Sequence, residues 1–247
     1  MTDAPIVEVV EAPPPPPPGR TWPTWVEILL CSGYPTQLII SYGLIGAGLP
    51  PATADGKLSG AFVFALSLLD TAALLSLIVL FIWRGGQRAR DVFFAPAHPL
   101  REAITGVLSL PTVIVIVVGL TVVVRQFVPA LHNVPDNPLE GLASGHSIWL
   151  FLFVVIVAGG VREELQRAFL LQRFRDHLGQ PWLGLFITSL AFGMGHTLQG
   201  LDAALITGAL GALWGFIYLT RRGALASMVS HSLFNSAELL RVFIAGG

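Results

Sequence analysis

The chain has 247 residues, of which 53% are hydrophobic and only 12% charged, and its mean hydropathy is +0.72. Such an apolar excess excludes a pair of soluble globular domains and points to one polytopic membrane domain. The formal net charge of −1 identifies no partner, and no nucleic-acid partner is expected.

Residues 1–24 differ in kind from the rest. Glu8 and Glu11 precede an unbroken run of prolines over residues 13–18, which is confined to extended polyproline II because proline lacks the amide hydrogen that a helix uses. The segment has neither the basic start nor the small-residue cleavage site of a signal peptide. It reads as a disordered spacer, with docking of a proline-reading module as the alternative. The single cysteine, Cys31, excludes an internal disulfide framework and a cysteine metal site. Its apolar flanks mark it as a small core residue.

Residues 25–247 form the expected transmembrane domain. A crossing needs about 20 mostly apolar residues, and such segments lie at 25–49, 60–83, 104–128, 147–171, 182–198, 201–219 and 223–244. The fold class expected is therefore an all-α polytopic transmembrane bundle of about seven spans. The fifth and sixth segments are short and nearly continuous, so a re-entrant pair is the alternative there.

Arginine placement orients the chain, because cytoplasmic loops concentrate Lys and Arg. Arg84, Arg88, Arg90 and Arg101 mark the second connection, Arg162, Arg167, Arg173 and Arg175 the fourth, and Arg221 and Arg222 the sixth. The third connection, 129–146, has Asp136 and Glu140 but no Lys or Arg, and the fifth has only Asp202. The expectation is a multi-pass cell-membrane protein with a cytoplasmic N-terminus, against which Arg125 and Lys57 are minor dissenters. Trp25, Trp83, Trp149 and Trp182 fall near segment ends, as interfacial aromatics do.

Three consecutive apolar segments carry polar pairs four residues apart, a spacing that puts both on one helix face. VREELQRAFL pairs Glu163 with Arg167, and Glu164 lies three before the same arginine. AFGMGH pairs Phe192 with His196, and HSLFN pairs His231 with Asn235. A carboxylate near hydrocarbon costs about 2.5–3.5 kcal/mol on insertion scales, and such residues mark functional sites.

In this order the three motifs resemble the CaaX protease and bacteriocin-processing family of intramembrane glutamic endopeptidases, relatives of the Ras-converting prenyl protease. The resemblance covers residues 145–244, about two fifths of the chain. It implies a metal-free peptidase without cofactor. Glu163 and His196 would be catalytic, and His231 and Asn235 would line the oxyanion site. One departure stands out: the family motif is Glu-Glu-x-x-x-Arg, whereas this chain reads Glu-Glu-x-x-Arg, with Ala168 where the arginine is expected. Either Glu163 and Glu164 are the pair and the arginine has moved by one, or the frame shifts and Arg162 fills the first acidic slot.

The residues make chemical sense without the family. Peptide hydrolysis needs an activated water, a stabiliser for the oxyanion and a proton donor for the leaving amine. A carboxylate partly removed from water is a better base than a solvated one. Glu163 would take the proton, with His196 orienting the water or sharing its charge. The side chains of His231 and Asn235 would donate toward the oxyanion. Glu163, Glu164, His196, His231 and Asn235 are thus the catalytic candidates, with Arg167 and Phe192 in support. Taken singly, His231 and Asn235 also fit inter-helix hydrogen bonding, Glu164 with Arg167 a boundary ion pair, and Phe192 simple packing.

Two other function classes compete: a non-catalytic immunity or chaperone-like membrane protein on the same scaffold, and a proton-coupled transporter, which would show an internal repeat that the sequence lacks. A zinc peptidase would find ligand types in Glu163, His196 and His231, but no HExxH helix exists. The partners expected are the lipid bilayer and a membrane-associated protein or peptide substrate. Asp70 sits mid-segment without a partner nearby in sequence. His98, His132, His146 and His177 are expected at solvated boundaries. Gly159, Gly160, Gly208, Gly211 and Gly215 would permit close helix approach. Glu163 and His231 fall about 12 Å from the cytoplasmic ends of their segments and His196 about 21 Å, a mismatch that a tilted, kinked or partly cytosolic fifth helix would remove.

Overall fold

The computed structural model describes residues 21–94, 98–142 and 148–245, so most of the proline-rich segment and His146 lie outside the described residues. The seven apolar segments become eleven helices among the described residues. The first is broken in two, α1 (Thr21–Leu30) and α2 (Tyr34–Gly46). The break falls at Gly33, whose φ of 89° is open to glycine and strained for other residues. Next come α3 (Gly60–Arg84), the short α4 (Ala89–Phe93), α5 (Pro99–Leu108) and α6 (Leu110–Phe127). Segment four is one long helix: α7 (Ile148–Val154) runs through a π-helical stretch (Val155–Arg162) into α8 (Glu163–Gln172). The chain closes with α9 (Pro181–Met194), α10 (Leu201–Arg221) and α11 (Leu225–Ala245).

This is an all-α helical membrane bundle. Gly60–Arg84, Pro99–Phe127 and Leu201–Arg221 are each long and apolar enough to cross a membrane, and the pair Pro23–Leu30 with Tyr34–Gly46, bent by 44°, passes the same test together. Large apolar side chains such as Ile39, Tyr42, Val115 and Phe186 lie exposed on the outside of the bundle, the arrangement expected of lipid-facing positions. Trp83, Trp149 and Trp182 are exposed near helix ends.

α8 is the central element. Its residues Arg167 to Gln172 are all buried, which marks a helix surrounded on every side. Ala168, Phe169, Leu171 and Phe174 join Leu74 and Ile78 of α3 and Tyr218 of α10 in one core, which also takes in Cys31. A second cluster packs Phe64 of α3 against Phe151 and Val154 of α7 and Leu239 of α11, and a third gathers Val113, Leu210, Trp214 and Ala226. The polar residues of the three motifs lie between these clusters. His177 departs from the expectation of a solvated boundary: it is buried, with Nδ1 3.4 Å from Thr24 Oγ1. His132, in the loop after α6, meets Asp202 in the first turn of α10 at 2.7 Å.

Candidate active site

Glycines bring the motif helices together. A Cβ on Gly159 would stand 2.6 Å from Asn235 Nδ2, and one on Gly160 would stand 2.8 Å from Ser232 Cα. Only hydrogen fits at Gly160, where the α11 backbone is in the way, and at Gly159 a methyl would displace the Asn235 amide, so α11 lies directly against the π-helical stretch. Such stretches are rare and concentrate at functional sites. Here the wide turn ends at Arg162, immediately before Glu163.

The adjacent glutamates point to different surroundings. The side chain of Glu164 is 1% exposed and forms an ion pair with Arg167, whereas that of Glu163 is 21% exposed and lines a cavity. Arg167 lies in a slot made by the small face of α10. A Cβ on Gly215 would stand 3.4 Å from its Cδ, and one on Gly211 would crowd Phe192 at 2.9 Å. The guanidinium then lies 4.5 Å from the centre of the Phe192 ring and 5.8 Å from that of Trp214, a favourable stacking for a desolvated arginine.

His231 faces both acids. Its Nδ1 is 2.9 Å from Glu164 Oε1 and its Nε2 is 3.9 Å from Glu163 Oε2. A carboxylate only accepts, so Nδ1–H is the donor to Glu164. The Trp214 indole stacks on the imidazole at 3.8 Å and 16°. It is fixed in turn by its Nε1–H, which donates to Ser230 Oγ at 3.1 Å. Trp214 thus supports the site although the motifs do not include it. An aromatic residue flanked by the α10 glycines was the available signal.

His196 follows the end of α9 and is only partly buried. Its Nδ1–H donates to the Phe192 carbonyl at 2.8 Å, leaving Nε2 as the nitrogen available to other groups. The Phe192 ring separates the two histidines, 4.7 Å from the His196 ring and 6.0 Å from that of His231. The depth mismatch disappears because the helix of segment four continues past residue 171 to His177, so that Gly184 near the start of α9 packs against the Phe174 side chain. From that common level Glu163 lies eleven positions back and His196 twelve positions on, about 16 and 18 Å along helical rises.

Glu163, Phe192, His196, His231 and Asn235 all line one cavity of about 490 Å³. Glu163, Phe192 and His196 also line a second of about 230 Å³ beside α1 and α2. The walls of the larger one are mainly apolar, with Val63, Leu66, Phe151, Val154 and Leu239 among them. Glu164 and Arg167 do not reach it.

Residues 144–237 match the family model described as Type II CAAX prenyl endopeptidase Rce1-like. Over this segment, which is less than half of the chain, the protein is similar to the Rce1-like family. No curated protein and no solved structure matches it. The matched segment contains all seven motif residues, and the description of the matched model, a CAAX prenyl endopeptidase, supports a peptide hydrolase in general class. Among the described residues no group of three His, Cys, Asp or Glu side chains is arranged to hold a metal ion.

The Rce1-like motif also has a neighbour outside it. Asp70, without a partner in its own segment, forms a buried ion pair with Arg162. The charge of Arg162 is met from α3.

Proposed function

We propose that this protein is an intramembrane glutamic endopeptidase that hydrolyses peptide bonds of membrane-associated proteins or peptides. The observation that carries the reading is the division of labour between the two acids. Glu163 shares a cavity with His196, His231 and Asn235, while Glu164 is sealed between Arg167 and His231.

In this reading Glu163 removes a proton from a water oriented by His196 Nε2, and the water attacks the scissile carbonyl. Asn235 donates to the developing oxyanion, an uncharged donor that needs no titration. His231, with Nδ1–H directed at Glu164, presents Nε2 to the same region and donates there when protonated. Glu164 acts through His231, as the carboxylate that orients an imidazole. The proton accepted by Glu163 then passes to the leaving amine. No metal or cofactor takes part in these steps.

The apolar walls of the cavity suit a lipid-modified or strongly apolar segment beside the scissile bond, and a prenylated protein tail is the substrate class that the family name favours. The arginine distribution supports a cytoplasmic N-terminus and the cell membrane as location. The test is incubation of the purified protein in liposomes with a library of prenylated and unmodified membrane-bound peptides, read by mass spectrometry. New peptide ends produced by the wild type and missing with His196→Ala support the reading. A wild type that cleaves nothing while binding the same peptides would favour the non-catalytic alternative.

A further inference from the structure

Arg162 directly precedes Glu163 and is buried at 6% exposure, yet the proposed chemistry makes no use of it. A permanent cation beside a general base is a hazard, because a carboxylate clasped by arginine becomes a weaker base. The donors of Arg162 are directed elsewhere. Nη2 donates to Asp70 Oδ2, and Nη1 donates to Gln166 Oε1 at 3.1 Å. Glu163 Oε1 is left 3.9 Å from Nη1, beyond hydrogen-bond distance.

Both acceptors are held from behind. Asp70 is 1% exposed; its Oδ1 accepts from Thr36 Oγ1 at 2.5 Å and its Oδ2 from Gln37 Nε2 at 3.4 Å, both on α2. Gln166 donates from Nε2 to the Cys31 carbonyl at 3.0 Å, which fixes its own carbonyl oxygen toward Arg162. Asp70, Arg162 and Gln37 also line the main cavity next to Glu163. The broken first segment and α3 therefore converge on one guanidinium.

We propose that Asp70 is a positioning residue for the hydrolysis: it neutralises Arg162 and turns it away from the Glu163 carboxylate, leaving that carboxylate free to act on water. The inference rests on Glu163 being the general base. Other charged or titratable groups that face Glu163 are His231 of α11 at 3.9 Å and His196 beyond α9, with Glu140, Glu238 and Arg241 farther along the cavity wall. The Glu164–Arg167 pair lies behind it on α8. Arg162 is thus the cation next to the base, and Asp70 the anion that answers it.

The test measures kcat and KM against pH for the full chain in liposomes on a membrane-bound reporter peptide. Asp70→Asn is expected to lower kcat by about tenfold, with KM little changed, and to move the acid limb of the kcat profile to lower pH, as a base newly held by Arg162 requires. Adding Arg162→Gln to Asp70→Asn should return the limb and most of kcat. If the ion pair merely holds helices together, the single variant will melt earlier and its profile will fall in height without moving. That outcome overturns the proposal. Should Asp70→Asn not fold, Gln166→Met frees Nη1 with Asp70 intact and must move the limb in the same direction, and an unmoved limb again overturns it. Glu163→Gln run alongside separates the two failures. If it stays active, the assignment of the base is wrong, whereas if it is inactive beside an unmoved Asp70→Asn profile, only the role of Asp70 is wrong.

Discussion

Glu164 and His231, 67 positions apart in sequence, meet at 2.9 Å through a carboxylate oxygen and Nδ1. This contact divides the acidic pair. The acid that holds the imidazole also holds Arg167 and is closed off from the cavity, so its neighbour is left to face that cavity.

The two acids should respond differently to the same change. Glu164→Gln removes the charge that Arg167 and His231 share and leaves a buried guanidinium uncompensated, at a cost of about 3–5 kcal/mol. A large fall in melting temperature in detergent is expected, with activity lost only in part. Arg167→Ala should behave alike, and the double variant should cost less than the sum, because the partners act as a unit. Additive losses in the double-mutant cycle would contradict the pairing.

Gly160→Ala should destabilise without removing any polar group. The new methyl would meet both the Ser232 side chain and its Cα, and overpacking of this kind costs about 1–3 kcal/mol. Ser232→Gly should rescue only part of that, since the α11 backbone itself is in the way. Thermal unfolding of the three variants checks the ordering.

Much of the architecture could be read from the chain, and so could the motif helices, because apolar length and i, i+4 spacing report directly on helices in lipid. The polar partnerships between distant helices could not. Asp70 looked isolated because its partner, Arg162, is 92 positions away, and nothing local encodes such a pairing. Trp214 lies outside the motifs, although it stacks on His231. The π-helical stretch, in which Gly159 and Gly160 lie against α11, was equally hidden. His177 was misjudged for a related reason: a histidine near a helix end is solvated by default, and only tertiary packing buries it.

Orientation is tested by accessibility. With Cys31→Ala as background, single cysteines placed at residues 130–140 should react with membrane-impermeant reagent from outside intact cells. Labelling from the cytoplasmic side alone would reverse the arginine-based assignment.

Trp214→Leu should loosen His231 and open a cavity. Replacing a large buried aromatic by a smaller residue costs on the order of 3 kcal/mol, and kcat should fall with it as the imidazole loses its stacking partner. Trp214→Phe, which keeps a ring but loses the donor to Ser230, should retain more activity than Trp214→Leu. Equal activity in both would remove Trp214 from the account.

The central claim is that Glu163 activates the water, and it is tested most directly by comparing wild type, Glu163→Gln and Glu164→Gln on one membrane-bound peptide. The assay is run with and without a strong chelator, with folding of each variant verified by its melting curve. The account predicts that Glu163→Gln remains folded and loses nearly all turnover, by about a hundredfold or more, while wild-type cleavage is unaffected by the chelator. Full activity in Glu163→Gln beside a folded but inactive Glu164→Gln would contradict it, as would chelator inactivation reversed by zinc alone.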